Sequence, residues 1–498
     1  MPRVISNDES LPRQEHAVAN GTITKGAPVV VNADGTVGPS AGSVDFLEGT
    51  AVNFSTQFDG GVGYDSTNNK IVVAWADESN SAYGSARVGT IDPSDNSVTF
   101  GSTTVFESAG VKVKHGSIAH DVANNRIVIA YKDEGNSNYG TAVVGTISGT
   151  SISFGTPVVY SSESNVVNNL AIYSPTDEKV LIVYRLAAGS GRANVATVSG
   201  TSISFGSYAE YHSNVSSVSA AYITTANKFC IYYLDTSGSY PSQHTEARIG
   251  TISGTSVSFG SANQISPTSS SAGELPNQGR AVYDTKNDRM IFTWAETDNG
   301  GHAIVGTVSG TSISVSGGGT VFSSEPITSD IGLVFDENVG KVLIFYRETV
   351  GGTNVRKFII GTVDSSDNSI SFNTEASFGP NTNSTSKYTT VYDSGSKRTV
   401  IAWDDASDSE NGYVTVFTVD GTAQNLTSEN YMGIARSGAT SGSGIVVDTQ
   451  GAIADNLSGL TAGQSYFVQT DGTLGTTAAD PSVFAGTAVA ATKLIVKG

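Results

Sequence analysis

The sequence is poor in cysteine and in long apolar runs. Its 498 residues contain one cysteine, Cys230, so an intrachain disulfide is excluded. In the run KFCIYYL this cysteine is expected to be a small buried apolar residue rather than a nucleophile. A membrane-spanning helix needs about 20 consecutive apolar residues, and no apolar run in the sequence is close to that length. The N-terminal MPRVISNDESLPRQEH has no apolar core, so we expect neither membrane insertion nor a secretory signal peptide.

Positive charge is also scarce. Lysine and arginine total 27 against 46 aspartates and glutamates, which gives a net charge of −19. A nucleic-acid-binding protein needs a basic stripe that displaces counterions from phosphates, and the sequence has no Lys/Arg cluster. Docking on anionic lipid is disfavoured for the same reason. We interpret the acidic balance as a well-solvated surface.

Catalytic motifs are absent from the sequence. It has no GxSxG, GxxxxGK[ST], HExxH or CxxC motif, and no SxDxGxxW motif of the sialidase type. The six histidines are scattered; His115 and His120 lie five apart on a predicted strand, so they are expected on opposite faces. The sequence therefore predicts no catalytic residue, no metal site and no cofactor.

What the sequence does contain is a repeat. Its clearest element is a short apolar strand, which reads in turn KIVVAWAD, RIVIAYKD, KVLIVYRL, KFCIYYLD, RMIFTWAE, KVLIFYRE and RTVIAWDD. A threonine marks the next strand of each unit, at Thr90, Thr146, Thr197, Thr251, Thr307, Thr362 and Thr418. The spacings of 56, 51, 54, 56, 55 and 56 residues define seven units. Four short strands per unit at this period predict an all-β fold, a seven-bladed β-propeller.

The connections support these strands. Between third and fourth strands most units carry SGTS, whose glycine suits the first central position of a type II′ turn. Between first and second strands stand DSTNNK, DVANNR, DTKNDR and DSGSKR. In these, Asp is suited to an Asx-turn, and Asn or Gly to the left-handed conformation. The second strands are apolar on both alternations, so both of their faces are expected to be buried between stacked blades.

The chain ends indicate how the ring closes. The seventh unit, through GYVTVFTVDGTAQNL, lacks the usual fourth strand. The segment SVDFLEGTAVNFS, residues 43–55, aligns with SISFGTPVVYS, residues 151–161, apart from an inserted Leu-Glu pair. We predict that this N-terminal strand completes the last blade and leaves no unpaired edge.

The remaining segments are assigned to a second, smaller module. KGAPVVVNADGTVG and AGQSYFVQTDGTLG echo each other as strand, Asp-Gly turn and strand. The predicted organisation is a polar arm at 1–17, the first part of a β-module at 18–41, the propeller at 42–426 and the C-terminal part of the module at 427–498. The arm is expected to order only against a partner.

Two recurring features have a functional and a structural interpretation. Most second strands end in an aromatic and an acid two residues apart, such as Trp75 with Asp77 or Tyr131 with Asp133. They suit sugar binding, but a feature found in nearly every unit favours a role in building the unit. The loops IDPSDNSV (91–98) and VDSSDNSI (363–370) offer two aspartates each, against the six to eight oxygen ligands of calcium. A turn two residues longer than SGTS suffices to explain them.

The second-to-third and fourth-to-first connections vary in length and content, and in propellers they surround one mouth of the central channel. Several carry a tyrosine among small polar residues, a composition that makes good binding surface. We therefore predict a receptor-binding face, against the alternative of ordinary surface tyrosines, at Tyr83, Tyr139, Tyr240 and Tyr413.

The terminal segments resemble known proteins. The run GLTAGQSYFVQTDGTLGTTAADPSVFAGTAVAATKLIVKG (459–498) and NGTITKGAPVVVNADGTV (20–37) resemble the end modules of virion proteins from tailed bacteriophages of marine bacteria and cyanobacteria. The resemblance implies a structural protein of the tail fibre, tail or head fibre, assembled in the host cytoplasm. It implies other virion proteins as partners of the terminal modules and transfers no catalytic residue.

Three hypotheses for function follow. The first is a non-enzymatic virion protein, a homo-oligomer on the particle, whose propeller presents a surface to a host receptor such as a cell-surface glycan. The second is a polysaccharide-degrading propeller, which needs a carboxylate pair or a Tyr or His base at the channel mouth. The third is a purely architectural decoration protein of the capsid or tail.

Overall fold

The computed structural model describes residues 14–497, except for 21–22, 33–34, 41–43, 56–57, 164, 239–242, 268–278, 297–299, 352, 380–386, 422–425, 441, 456, 470–471 and 479–481. The chain divides into two compact units. The terminal unit combines Met1–Phe46 with Val419–Gly498, and the repeat unit is Leu47–Thr418.

The described residues are almost entirely β-structure, and helix is limited there to short 3-10 turns at Glu78–Asn80 and Ala406–Asp408. None of them forms a helix long and apolar enough to cross a membrane. The terminal unit holds β1 (Gln14–Val18), β2 (Pro28–Val31), β3 (Val37–Pro39), β39 (Tyr431–Ala435), β40 (Gly444–Asp448), β41 (Ile453–Ala454), β42 (Ser465–Val468), β43 (Leu474–Gly475), β44 (Phe484–Ala490) and β45 (Lys493–Val496).

The other strands follow the repeats. They are β4 (Val44–Glu48), β5 (Val52–Ser55), β6 (Gly60–Asp65), β7 (Lys70–Asp77), β8 (Tyr83–Asp92), β9 (Ser97–Phe100), β10 (Thr104–Lys112), β11 (Ile118–Asp121), β12 (Arg126–Asp133), β13 (Tyr139–Ser148), β14 (Ser151–Phe154), β15 (Val158–Ser161), β16 (Val166–Ser174), β17 (Lys179–Leu186), β18 (Gly191–Ser199), β19 (Ser202–Phe205), β20 (Ala209–His212), β21 (Val215–Ile223), β22 (Lys228–Asp235), β23 (His244–Ser253), β24 (Ser256–Phe259), β25 (Asn263–Gln264), β26 (Arg280–Asp284), β27 (Arg289–Glu296), β28 (Gly300–Ser309), β29 (Ser312–Val315), β30 (Thr320–Ser323), β31 (Gly332–Asp336), β32 (Lys341–Val350), β33 (Thr353–Asp364), β34 (Ser369–Phe372), β35 (Ala376–Ser377), β36 (Tyr388–Asp393), β37 (Arg398–Asp405) and β38 (Asn411–Gly421).

Each repeat folds as an antiparallel sheet with one pattern. In the sheet of β16-β17-β18-β19, the short strand β20 also pairs with β18, so the fourth strand consists of two segments. The same order recurs in β21–β25, β26–β30 and β31–β35. The first two repeats share a 10-stranded sheet, because β10 pairs with both β8 and β12. The last sheet has the order β36-β37-β38-β4, with β5 also on β38.

The first strands of these sheets lie around one cavity. Residues of β6, β11, β16, β21, β26, β31 and β36 line it together, and consecutive first strands contact one another, β36 with β6 included. Sheets that radiate from a shared central cavity are the arrangement of a β-propeller. The fold class predicted from the repeat, all-β with a propeller, is confirmed.

The core lies between adjacent sheets. One cluster joins Val72 and Val88 of the first repeat to Ile127 and Val143 of the second. The interior residues of the second strands are buried on both faces, as the apolar runs predict; β7, for example, is buried from Ile71 to Ala76. Cys230 is fully buried among apolar neighbours, and this burial raises the pKa of its thiol far above the usual range.

One end of the sheets, called here the turn end, carries the first-to-second and third-to-fourth hairpins. Gly149 in SGTS has φ +62°, as the predicted type II′ turn requires. In the other hairpin, Asp65 Oδ1 accepts the backbone N–H groups of Thr67 and Asn68, at 3.0 Å each, and Asn69 has φ +53°. These are the predicted Asx-turn and left-handed residue.

Glycines at the turn end bring neighbouring sheets into contact. Gly155 and Gly206 follow the fourth-strand phenylalanine of their repeats, and each packs on the SGTS turn of the next repeat. A Cβ on Gly206 would lie 1.8 Å from the carbonyl oxygen of Thr255, and one on Gly155 would lie 2.0 Å from that of Thr201. Only glycine fits these positions without movement of the backbone.

The terminal unit contains two five-stranded sheets, β1-β40-β39-β2-β3 and β41-β45-β44-β42-β43. The first joins residues from both chain ends. The two echoing segments form the hairpins β2-β3 and β42-β43. Strand β1 begins at Gln14, inside the 1–17 segment predicted as an arm, because residues 14–18 pair with β40 and Ala17 packs on Ile445 and Val447.

Candidate functional site

The other end of the sheets, called here the loop end, carries the second-to-third and fourth-to-first connections. The aromatic-x-acid endings of the second strands lie here. Their aromatic rings are at most 3% exposed, at Trp75, Tyr131, Trp294, Tyr346 and Trp403. The acids begin the following turns: Asp133 and Asp405, for example, accept the N–H groups of Asn136 and Ser407 at 3.0 Å. The structural interpretation of this motif is confirmed.

The residue between the aromatic and the acid faces the other way, because successive side chains of a strand alternate. This residue is the variable one of the motif: alanine in two repeats, but Lys132, Arg185, Arg347 and Asp404 in others. Arg185 lines a cavity at the loop end of the central channel. The repeated aromatics and acids stand out in the sequence, but these intervening charges are not among the predicted site residues. The signal for them is the period-two alternation of side chains within the motif.

The cavity at this end of the channel is the candidate site and is called here the channel mouth. Its volume is about 230 Å³, and its polar lining comprises Lys114, His115, Asn168, Arg185, Ser216, Arg280 and Asp330. These residues come from different repeats, but each lies next to the start of a first strand or at the end of a second strand. Such positions surround the channel, which is why residues far apart in sequence meet here.

The channel mouth carries an excess of positive charge. Lys114 Nζ lies 2.7 Å from Asp59 Oδ2, and Lys387 Nζ lies 4.0 Å from Asp59 Oδ1. Arg280 is 6% exposed, and its nearest carboxylate oxygen, on Asp330, is 3.7 Å away. The residues that line the cavity thus include three cations, Lys114, Arg185 and Arg280, and one carboxylate, Asp330, in a protein of net charge −19.

Part of this charge has no partner among the described residues. Within the described residues, the Nε atoms of Arg280 and Arg185 are buried and have no hydrogen-bond partner. Burial lowers the pKa of both guanidinium groups, although an arginine remains charged at neutral pH. Buried cationic donors without partners are costly, so an anionic ligand bound here would be strongly favoured.

His115 and Asp330 add titratable groups to the mouth. Burial, reinforced by the nearby charge of Arg280, lowers the pKa of His115 well below its usual range, so the imidazole is neutral. Its Nδ1 has no hydrogen-bond partner among the described atoms. Burial raises the pKa of Asp330, against the opposing charges of Arg280, Lys114 and Lys387.

The prediction that His115 and His120 share a strand is wrong. β11 begins at Ile118, and His115 lies in the preceding turn, where Gly116 has φ +73°. The opposite-faces argument therefore fails, and both histidines line the central channel. His120 Nε2 lies 3.2 Å from Asp65 Oδ1.

The predicted receptor face is only partly described. Tyr83 and Tyr139 are half-buried at the starts of the third strands β8 and β13, which belong to the same sheet. The ring of Tyr413 stacks on Trp403 at 4.9 Å and 22°, and its hydroxyl donates to Asp408. Tyr240 lies outside the described residues. That these tyrosines bind a receptor stays a prediction.

The two acidic loops considered for calcium use their carboxylates locally. Asp92 Oδ1 accepts the N–H of Ser94 at 2.9 Å, and Asp95 Oδ1 accepts that of Ser97 at 2.9 Å. In the second loop, Asp364 and Asp367 do the same for Ser366 and Ser369. These contacts fit the interpretation as longer turns.

No protein-family model matches the chain, and comparison with curated proteins gave no significant match. Among solved structures, a protein from Lactobacillus plantarum is similar over 74% of this chain and 97% of its own, with 12% identity and a TM-score of 0.47. The periplasmic gluconolactonase of Pseudomonas aeruginosa is similar over 66% and 90%, with 11% identity and a TM-score of 0.42. No functional statement about this chain follows from either similarity. The strand order and the charged cavity define a β-propeller with a cationic channel mouth.

Proposed function

We propose that this protein is a non-enzymatic structural protein of a tailed-phage virion, whose propeller binds an acidic host glycan at the channel mouth. The observation that carries the binding part is the cluster of Lys114, Arg185 and the buried Arg280 at the channel mouth. The virion part rests on the resemblance of residues 20–37 and 459–498 to phage end modules.

The proposal includes a scaffold of seven blades closed by residues 43–55. In support, β4 and β5 pair with β38 and supply the fourth strand that this sheet otherwise lacks. Arg398 of the last repeat donates from Nε to Asn96 Oδ1 of the first at 2.8 Å. Consecutive repeats make the same contact, from Arg289 Nε to Asn368 Oδ1 at 2.6 Å.

The terminal unit is proposed to attach the protein to other virion proteins, with homo-oligomers assembled on the particle in the host cytoplasm. Immunogold labelling of purified particles with an antibody against the repeat unit tests the location. We expect gold at one defined part of the tail or head. Labelling absent from particles that are intact and infectious would contradict the virion proposal without touching the binding proposal.

An acidic sugar fits the chemistry of the mouth. Arginine pairs with a carboxylate through two parallel hydrogen bonds, and such charge-assisted bonds are among the strongest in proteins. The cavity of about 230 Å³ is below the roughly 300–1,000 Å³ of pockets for drug-sized ligands. One charged sugar residue, such as a uronic acid unit, is therefore the fitting occupant.

A glycan array with acidic and neutral oligosaccharides, probed with the full-length protein, tests this function. We expect selective binding of carboxylated glycans that weakens as salt is raised. Arg280→Gln should reduce the affinity by at least about tenfold, the cost of a lost charge-assisted bond of 1.5 kcal/mol or more. Arg185→Gln, at a less buried position, provides a second variant in case Arg280→Gln does not fold.

Arg126→Gln is the matched control, because Arg126 lies at the turn end and donates to the Gly200 carbonyl at 2.9 Å. It should leave glycan binding unchanged. Equal binding of neutral glycans, or acidic-glycan binding that survives both mouth variants, would overturn the proposed site. Absence of any glycan binding at high protein density would favour the architectural hypothesis.

A polysaccharide-degrading enzyme is the second candidate, favoured by one observation. A neutral His115, a carboxyl with raised pKa at Asp330 and the neighbouring Asp59 meet at the mouth, and perturbed titratable groups in a cleft are common in active sites. Incubation with host polysaccharide, followed by assays for reducing ends and unsaturated products, decides between the two. Product release that is lost in His115→Gln or Asp330→Asn would overturn the non-enzymatic proposal.

A further inference from the structure

One position of the repeat is occupied by serine in several sheets and by a different residue in others. The last residue of the fourth-strand segment lies opposite the glycine near the start of the third strand. It is serine in the sheets where Ser55, Ser161 and Ser323 pair with Gly412, Gly140 and Gly301. It is Glu107 opposite Gly84 in the sheet of β8, and His212 opposite Gly191 in the sheet of β18. Of these, His212 brings an imidazole, a common metal ligand, to the position.

His212 faces metal-ligating groups of the next sheet. Asp235 ends β22, and His244 and Glu246 lie on β23. Ligand atoms of His212, Asp235 and Glu246 all lie within 4.8 Å of one another. His212 Nε2 is 3.7 Å from Asp235 Oδ1, and His244 Nε2 is 3.3 Å from Glu246 Oε1. The four side chains are 12–18% exposed, so the cluster is enclosed but accessible.

Hydrogen bonds from outside the cluster orient its side chains. Asp235 Oδ1 accepts the Ser237 N–H at 2.7 Å, and Asp235 Oδ2 accepts the Ser237 hydroxyl at 2.9 Å. His212 Nδ1 accepts the backbone N–H of Asn214 at 3.1 Å and lies 3.1 Å from the carbonyl oxygen of the same residue. Nε2 faces Asp235, and metal binding at Nε2 would release its proton. The Tyr233 hydroxyl donates to Glu246 Oε2 at 2.9 Å, which holds the carboxylate while Oε1 faces His244.

We propose that His212, Asp235 and Glu246 bind a divalent transition-metal ion of the zinc type, which links two adjacent sheets, with His244 next to Glu246. One imidazole and two carboxylates are ligands that Zn²⁺ accepts in tetrahedral geometry, with the fourth position open. With bonds of about 2.0–2.1 Å, that geometry places ligand atoms about 3.4 Å apart, close to the 3.7 Å between His212 and Asp235. Imidazole ligands argue against Ca²⁺ and Mg²⁺, which prefer oxygen.

The next sheet provides a natural comparison. There, His302 Nε2 lies 3.7 Å from Glu296 Oε2, at strand positions that correspond to Glu246 and Asp235. Ser266, at the position of His212, uses its hydroxyl to accept from Thr245 N–H at 2.9 Å, and Gly300 stands where His244 does. A histidine–carboxylate pair is thus present there without a third ligand group.

Calorimetric titration of the metal-free full-length protein with ZnCl₂ tests the site, and Co²⁺ gives a second signal in the visible absorption of a tetrahedral complex. We expect one ion per chain, and a rise in the midpoint of thermal unfolding on adding Zn²⁺, since a ligand bound only by the folded state stabilises it. His212→Gln and Asp235→Asn should each weaken binding at least tenfold. Even the loss of a group that orients a ligand costs about that much.

His302→Gln is the control variant and should bind Zn²⁺ as the unmodified protein does. Glu246→Gln serves if either of the first two variants fails to fold without metal. Absence of stoichiometric binding, or binding that persists in His212→Gln and Asp235→Asn, would show that the cluster is two histidine–carboxylate ion pairs. That result would overturn the metal site and leave the glycan proposal untouched.

Discussion

The turn end and the loop end of the repeat unit are made by the same strands, but they differ in how strictly residue types recur from repeat to repeat. At the turn end the same residues recur: an aspartate that closes an Asx-turn, a glycine at φ near +60°, and a second glycine against the next sheet. At the loop end the aromatic and acid recur, but the residue between them changes from alanine to lysine, arginine or aspartate. Recurrent residues build the scaffold, and the exceptions carry the charge of the channel mouth and bring His212 to the recurrent acid Asp235.

This contrast predicts that small changes at the turn end cost stability, whereas changes at the loop end cost binding. The largest effect is expected for Gly206→Ala, whose Cβ would lie 1.8 Å from the Thr255 carbonyl oxygen. Overpacking against backbone costs about 3 kcal/mol, measured as the free energy of unfolding in urea. Gly318→Ala is the control, because the nearest atom to its Cβ, on Pro267, is 4.0 Å away. Equal effects of the two substitutions would mean that the sheets do not contact at Gly206.

The next effect concerns pH. Burial raises the pKa of Asp336 to about 6, against the opposing hydrogen bonds of Val339 and Asn338. The folded state therefore holds this proton more tightly than the unfolded state, whose aspartate titrates near 3.9. The resulting stabilisation is complete below pH 4 and is lost as the pH rises through about 6.

Asp336→Asn removes the loss of stability at high pH, because an amide side chain stays neutral at every pH of the experiment. It should raise the free energy of unfolding at pH 7.5 by about 2 kcal/mol and change it little at pH 4. Asp284→Asn is the contrasting variant, since Asp284 Oδ2 accepts from Asn287 Nδ2 at 2.7 Å, and an amide would place two donors face to face. It should destabilise at pH 7.5; a gain in both variants would contradict the assignment to burial at Asp336.

Closure of the ring is tested by a smaller energy, the coupling between two side chains. A double-mutant cycle on Arg398→Gln and Asn96→Ala should give a coupling energy of about 1 kcal/mol, as residues in direct contact do. The reference cycle uses Arg289 and Asn368, which make the same contact between consecutive repeats. Coupling in the reference pair alone would break the proposal that the last sheet packs on the first.

The smallest effect on stability is expected at the loop end. Replacing Tyr83 and Tyr139 together by phenylalanine should change the free energy of unfolding by less than about 0.5 kcal/mol, as is usual at the surface. If these hydroxyls belong to the receptor face, glycan affinity should still fall. Unfolding curves and array binding on the same sample make this comparison, and a loss of stability without a loss of binding would count against the tyrosine face.

The scaffold could be predicted because its signals are local. The apolar run, the Asp-containing hairpin and SGTS each occupy a few consecutive residues. The structure has a strand at each apolar run and a turn at each of the two hairpin sequences. The exception is His115, where the strand was extended too far toward its N-terminus. The turn at Gly116 interrupts it, and a single glycine with φ +73° gives a weak signal in a sequence with 56 glycines.

The candidate sites could not be predicted in the same way. Arg185, Arg280 and Asp330 stand in three different repeats, and only the circular arrangement of first strands brings them together. The proposed metal site likewise joins His212 of β20 to Asp235 and Glu246, which lie on strands of the next sheet. Such sites depend on contacts between repeats. An alignment of the repeats emphasises the residues that recur, so a residue that occurs in only one repeat does not stand out.

The pairing of β5 with β38 has a consequence for the timing of folding in the cell. Ser55 of β5 pairs with Gly412 of β38, so about 360 residues of chain lie between the two partners. At about 5–20 residues per second, the ribosome needs roughly 20–70 s to make that intervening segment. The N-terminal strands must wait during this time with unpaired edges, at risk of joining another nascent chain. Chaperone demand should therefore peak just before the last repeat emerges.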